Sequence, residues 1–373
     1  YSNYTRTLKK VNKYFMSKKS ICSAPSIGIN IMGGLVTPCC WYQPGVPGNN
    51  SLSIKEHQYN FANLQQTLDD SIPKVCKKCK IADKKHAYYN IFNKIKSVDA
   101  GNTFNPELKF LHIGFNNKCN LACRICSSQF SSLHWQEQFG QNKVTDFVKP
   151  DSILYNSIYK SLSTIEYLYM TGGEILFDQE SWKLLNFCVE KNYAKNITLQ
   201  INTNGTIKLS EKEIKILQTF KDLELHVSID GIQKMAEYIR TGLVWEKWIK
   251  NFEKYNKLFP NLHVVITASV YNIFEIDTTV KFFENYNVGS NINILTNPYG
   301  LNISSLNSVL KKELLLKYQN TGPKYDSVCS FLKQDNQTKD TKRVIIEKEK
   351  TALGKYPNFK PYNEMFPEYW NKF

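Results

Sequence analysis

An α/β fold of parallel strands, laid out as an open sheet or a partial (β/α) barrel, is what this sequence predicts. Two observations carry the prediction. Beyond Pro106, apolar β-rich runs alternate with amphipathic helical stretches, and each interval is long enough for a crossover helix. Before Pro106, short β-like pieces are broken by Gly33-Gly34 and by the run from Gln43 to Gly48. That half is therefore expected to be a small, irregular, cysteine-bearing unit held by a metal centre.

In chain order, residues 26–32 and 35–37 read as the short β pieces of the first half. The stretch Asp99-Ala-Gly-Asn-Thr-Phe-Asn-Pro106 reads as a linker, because Gly, Asn and Pro disfavour helix and strand interiors. Residues 108–115, 165–170, 197–201, 223–227, 263–269 and 292–295 read as buried strands. Residues 181–191, 211–220, 245–258 and 273–286 read as the helices between them. From about residue 301 the chain reads as helical, then extended and aromatic through 356–373. The expected domains are therefore 1–104, 105–300 and 301–373.

Composition narrows the class. The 373 residues are 42% apolar and 13% aromatic, enough for a core, so wholesale disorder is excluded. No apolar run approaches the roughly 18 residues that a membrane span needs. Residues 1–20 are polar and basic without an apolar stretch, so no signal peptide is expected there. Ten cysteines in a chain of this length do not suit a small secreted disulfide scaffold, and metal or cluster ligation in a reducing, cytoplasmic setting is the better reading. The net charge is +15, and residues 1–105 hold fifteen Lys or Arg against five acids. Two readings stand: an anionic partner, or compositional drift toward Lys, Asn, Ile and Tyr.

The decisive segment is His112-Ile-Gly-Phe-Asn-Asn-Lys-Cys119-Asn-Leu-Ala-Cys123-Arg-Ile-Cys126. Three thiols at x3 and x2 spacing on one loop can hold three corners of a cubane iron–sulfur cluster and leave the fourth iron open. Zinc bound by three thiols and a distant ligand is the rival reading. Further polar turns follow the later strands: Thr171-Gly172-Gly173-Glu174, Asn202-Thr203-Asn204-Gly205 and Ser228-Ile-Asp230-Gly231. Each alone is a common strand-ending turn. Together they sort to the C-terminal ends of strands, where (β/α) barrels carry their working residues.

In these motifs the sequence resembles the radical S-adenosylmethionine (radical SAM) enzymes. The resemblance implies a partial (β/α)6 TIM-like barrel, with Cys119, Cys123 and Cys126 ligating a catalytic [4Fe–4S] cluster. It implies that the open iron chelates S-adenosylmethionine, whose reductive cleavage yields a 5′-deoxyadenosyl radical that abstracts a substrate hydrogen. Gly172, Gly173 and Glu174 would then hold the SAM amine, and Thr203, Asn204, Ser228 and Asp230 its ribose and carboxylate. Arg240 would pair with the carboxylate, while Val270 and Asn272 either line the adenine pocket or simply pack. Two departures are Ile125, where many members carry an aromatic residue, and Ile175, where the family has Pro.

Cys22, Cys39, Cys76 and Cys79 form a second set, with Gly34-Leu-Val-Thr-Pro-Cys39 and Cys76-Lys-Lys-Cys79 as local motifs. This resembles the twitch or SPASM-type auxiliary domain and implies a second [4Fe–4S] cluster, here ahead of the barrel rather than behind it. A structural zinc site is the rival, and Cys40 competes with Cys39. Cys188 and Cys329 read as core residues, and the six histidines show no ligand spacing. The expected function is hydrogen abstraction from a peptide, a protein or an anionic small metabolite, with a flavodoxin or ferredoxin as reductant. Neither a membrane nor a nucleic acid is expected as partner. A reading of another class is a non-catalytic, zinc-containing nucleic-acid-binding protein.

Overall fold

The computed structural model describes residues 19–42, 46–76, 91–334 and 340–373, apart from 93, 97, 357 and 358. Cys79 and many of the N-terminal lysines lie outside the described residues. The chain divides into two compact units, residues 1–113 with 147–169 and residues 114–146 with 170–373.

The first unit holds β1 (Gly28–Met32), β2 (Leu35–Thr37), β3 (Val46–Pro47), β4 (Phe110–Ile113) and most of β5 (Tyr167–Met170), in the order β3-β2-β1-β4-β5. Gly33 and Gly34 both have positive φ, so the β1–β2 connection takes a left-handed turn that glycine adopts without strain. β1 then runs parallel to β4, with Gly28 to Ile31 opposite Phe110 to Ile113. The sequence reading gave β1 no such partner. It also began the strand too early: Ala24–Ile27 forms a helical turn with Pro25 in its first positions, and extended structure starts at Gly28. The core gathers Ala24, Ile27, Phe92, Phe110, Tyr167 and Tyr169, with Cys22 and Cys39 packed against it. Phe110 meets Phe92 edge-on at 4.8 Å and stacks on Tyr167 at 5.4 Å.

The second unit holds β6 (Thr198–Thr203), β7 (Asp222–Ser228), β8 (Leu262–Ala268) and β9 (Gly289–Ile294), adjacent in that order and all parallel. Each unit is thus α/β or strand-rich with an open sheet, and parallel pairing predominates. The six strands and four helices expected beyond residue 106 all occur, with ends within three residues of those expected. Alternation decides the faces. Leu199, Ile201, Leu225, Val227, Val264 and Ile266 are fully buried on one face. The other face carries polar side chains apart from Val265, which is opposite Ser228.

The helix Trp245–Leu258 matches its expected bounds because Trp245, Trp248, Phe252 and Tyr255 recur on one buried stripe. That stripe also holds the loop after β6. Trp248 Nε1 donates to the Asn204 carbonyl at 2.9 Å, and Asn251 Nδ2 donates to the carbonyls of Gly205 and Ile207 at 2.7 and 2.8 Å.

The tail departs from its expectation. Residues 356–373 include two helical turns, Tyr362–Met365 and Pro367–Trp370, rather than a wholly extended run. Their start is anchored by a Tyr362 N–H bond to Glu349 Oε1 at 2.6 Å. Their aromatic rings pack around Tyr238, with Phe359, Tyr362 and Phe366 each within 5.6 Å of it. Among the described residues no helix is long and apolar enough to cross a membrane.

Gly205 has φ +73°, and a Cβ there would lie 2.8 Å from both Trp248 Nε1 and Val227 Cγ1. Gly205→Ala is therefore expected to destabilise the protein by about 2–4 kcal/mol, through backbone strain plus overpacking. A fall in the urea midpoint at unchanged slope measures it.

Candidate active site

The loop after β4 carries the three spaced thiols and is fixed mostly through its backbone. Ala122 N–H donates to the Thr241 carbonyl at 3.0 Å, and Arg124 N–H to the Ile239 carbonyl at 2.7 Å. Ser131 Oγ donates to the Leu121 carbonyl at 2.8 Å, while a His134 ring nitrogen lies 2.8 Å from the Cys123 carbonyl. Cys123 is buried, and Cys119 and Cys126 are half-buried. Burial pushes the Cys123 thiol up to about 12, with Arg240 pulling the other way. Burial also raises Cys119 and Cys126, and the neighbouring Cys123 and Glu174 add to the effect on Cys119. Among the described residues, no three His, Cys, Asp or Glu side chains are set to hold a single metal ion.

The turn after β5 docks directly on this loop. A Cβ on Gly173 would stand 2.1 Å from the Lys118 carbonyl oxygen and 2.8 Å from the Asn117 carbonyl carbon. A Cβ on Gly172 would meet the Asn116 carbonyl oxygen at 3.2 Å. Glu174 N–H completes the junction by donating to the Lys118 carbonyl at 2.8 Å. Two glycines in succession are what this approach requires.

Glu174 then ties the turn to the end of β6. Its carboxylate accepts from Thr203 Oγ1 at 2.7 Å, Asn204 N–H at 2.6 Å and Leu176 N–H at 3.1 Å. Burial raises its pKa, and these donors act in the opposite direction. Asn204 Nδ2 donates to Asn120 Oδ1 at 2.9 Å, so the β6 turn also touches the cysteine loop.

At the end of β7, Asp230 is fully buried and faces Arg240, with Nη2 to Oδ2 at 2.9 Å. Asp230 Oδ1 also accepts from Thr267 N–H at 2.7 Å. Burial works against the Arg240 charge, but Asp230 and the three thiols outweigh it and hold the guanidinium charged. Arg240 Nε is buried and makes no hydrogen bond. Ser228 is half-buried at the last position of β7, while Val270 is fully buried and its N–H bonds to the Leu301 carbonyl at 3.0 Å. Asn272 bridges strand ends, donating to the Asp230 and Thr267 carbonyls, both at 3.0 Å.

Over residues 113–283 the sequence matches the family model of the Radical SAM superfamily. The chain contains a radical SAM domain. Similar solved structures include anSMEcpe with bound AdoMet, at 20% identity and a TM-score of 0.43, covering 57% of this chain and 58% of that one. Streptococcus suis SuiB bound to precursor peptide SuiA is similar at 14% identity and a TM-score of 0.40, over 93% and 78% of the two chains. The chain thus covers less than two thirds of the length of anSMEcpe. No curated protein matches the chain.

Within the radical SAM domain, two features escaped the sequence reading. Arg124, between the second and third thiols, is fully buried. It forms an ion pair with Glu137 at 2.5 Å and donates to Thr241 Oγ1 at 3.0 Å and the Ala122 carbonyl at 2.6 Å. A lone arginine amid apolar neighbours, followed thirteen residues later by a glutamate on a helix, was the available signal. The second feature is a histidine pair: His226 and His263 are opposite one another on β7 and β8, with ring centroids 5.8 Å apart. Their signal is period-two, since both occupy polar alternate positions in apolar strands.

In the first unit, Cys22, Cys39 and Cys76 line one apolar hollow with Tyr42, Leu68 and Ile72. Cys40 is not among its lining residues. Buried polar side chains hold two of these cysteines by their carbonyls: Gln65 Nε2 donates to Cys22 O at 3.1 Å and Thr37 Oγ1 to Cys39 O at 2.8 Å.

Glu137→Ala leaves the Arg124 guanidinium buried without its counter-charge, and a loss of about 3–5 kcal/mol in unfolding free energy is expected by urea denaturation. A second expectation concerns pH. Burial and then His263 hold His226 down from 6.5 to about 4. The unfolded chain therefore takes up this proton first as pH falls, and stability declines between about pH 6.5 and 4. His112, pushed down to about 3 by burial, acts with the same sign. In His226→Gln the decline of the urea midpoint from pH 7 to pH 5 should become shallower.

Proposed function

We propose that this chain is a radical SAM enzyme that takes a hydrogen atom from a peptide, a protein or an anionic small metabolite. The observation that carries the reading is the docking of Gly172-Gly173-Glu174 on the backbone immediately before Cys119. That contact supports the reading because it joins the carboxylate turn both to the end of β6 and to the loop that bears the three thiols, all within a single unit.

The residues fit the cofactors implied by the family. Three thiols on one rigid loop suit the catalytic [4Fe–4S] cluster, and the unpaired Arg240 Nε–H suits a carboxylate such as that of S-adenosylmethionine. When bound, cluster and SAM together supply the one-electron cleavage that generates a 5′-deoxyadenosyl radical. The chain's own part is positional. Cys119, Cys123 and Cys126 are the ligands, and Arg124 with Glu137 keeps their loop rigid. Asp230 orients Arg240, while Gly172 and Gly173 let the backbone come close. Glu174 fixes Thr203 and Asn204, and Ser228 stands at the neighbouring strand end. Val270 contributes packing behind that row.

For the N-terminal set, the cysteine-lined hollow supports a second, fully ligated [4Fe–4S] cluster at Cys22, Cys39, Cys76 and Cys79. Its lining favours Cys39 over Cys40. Residues 1–104 would then be the auxiliary domain, 105–300 the catalytic core and 301–373 an extension. A flavodoxin or ferredoxin would deliver the electron in the cytoplasm.

Anaerobic reconstitution followed by dithionite and SAM is expected to release 5′-deoxyadenosine, and Cys119→Ala to abolish it. In Cys22→Ala the iron content should fall from about eight to about four per chain. A fully iron-loaded wild type that releases no 5′-deoxyadenosine overturns the catalytic assignment. Unchanged iron in Cys22→Ala overturns the auxiliary one.

A further inference from the structure

The face of β6–β9 opposite the buried aliphatic face has its own chemistry. Register places Asn202, His226, His263 and Gly289 side by side across the four strands. One step along β7 toward its C-terminal end on the same face lies Ser228, at the strand end beside the proposed SAM site, about 7 Å away. The imidazole row is therefore one side-chain layer below that site.

Two details mark the row as built for recognition. Gln200 Nε2 lies 3.1 Å from His226 Nδ1. As the amide can only donate there, the ring proton of neutral His226 is on Nε2, where it is a donor. Beside His263, a Cβ on residue 289 would approach Nδ1 to 3.1 Å, so glycine keeps the space around that ring open.

Charge decides the class of ligand. None of the four strands contains Lys or Arg. On this face β7 contributes Asp222 and Glu224, the only charged side chains the four strands carry. On these four strands an anion would find no cation to pair with and two carboxylates to repel it. Imidazoles and carboxamides instead offer both donors and acceptors, which match the N–H and C=O of an amide. Burial keeps His226 neutral near pH 7, in accord with this.

We propose that His226 and His263 are specificity-determining residues that hydrogen-bond an uncharged, amide-bearing segment of the substrate. The proposal rests on the radical SAM reading above and narrows its substrate to the peptide class.

The test uses the full chain with clusters reconstituted, SAM and dithionite. Four probe pools are compared: N-acetylated, C-amidated peptides of uncharged residues, the same scaffolds with phosphoserine, the same with lysine, and a mixture of nucleotides and sugar phosphates. The readout is 5′-deoxyadenosine formed with a pool divided by that formed without it. The uncharged pool is expected to raise this ratio at least fivefold in the wild type (roughly 1 kcal/mol of preference). His226→Phe and His263→Phe should return it to near unity, and His226→Gln, which keeps a donor and an acceptor, should retain most of it. Iron content and melting temperature of each variant separate loss of recognition from loss of fold. Greater stimulation by an anionic or cationic pool, no stimulation by any pool, or full stimulation in the phenylalanine variants overturns the proposal. Absence of 5′-deoxyadenosine without any pool overturns the underlying reading instead.

Discussion

Contact between the turn after β5 and the backbone before Cys119 leaves no volume for a side chain at residue 173, and much of the second unit is arranged around that closeness. Because the turn sits there, Glu174 reaches the end of β6 and receives Thr203 and Asn204. Asn204 in turn reaches back to Asn120 on the cysteine loop. The result is a closed circuit of hydrogen bonds joining a loop and two strand ends. Circuits of this kind gain rigidity because each partner's desolvation is met by another member.

A second constraint is electrostatic. Arg124 and Arg240 are both buried in the unit that holds the thiols, and each has a carboxylate partner, Glu137 and Asp230. Pairing makes their burial tolerable, while removal of either acid would strand a positive charge. Burial alone raises the thiols, so neutral forms are favoured until a stronger electrophile takes them as thiolates. The two guanidiniums oppose that tendency at Cys123 and Cys126.

Local features were legible in the sequence because spacing along a few residues encodes them. The x3 and x2 thiols, the paired glycines, and the Asn-Gly and Asp-Gly turns are of this kind, as is the stripe of Trp245, Trp248, Phe252 and Tyr255. Partners far apart in the chain were not. Glu349 accepts from Tyr238 across 111 residues, and β1 finds β4 across nearly the whole N-terminal half. Nothing local marks either pairing. The roles of Asp230 and Asn272 were likewise hidden: their residue types announce a polar turn, but only packing shows that they hold Arg240 and the neighbouring strand ends. The tail was misjudged for the same reason, since its helical turns depend on Glu349 and on the rings around Tyr238.

That tail also bears on how the protein is made. Arg124 Nη1 lies 3.5 Å from the Lys348 carbonyl, 224 residues onward, and its guanidinium sits 5.4 Å from the Phe359 ring. A ribosome adds about 5–20 residues per second, so about ten seconds or more separate the making of the cysteine loop from the making of its contacts at Lys348 and Phe359. The cysteine loop therefore gains these two contacts late, long after its own residues are joined.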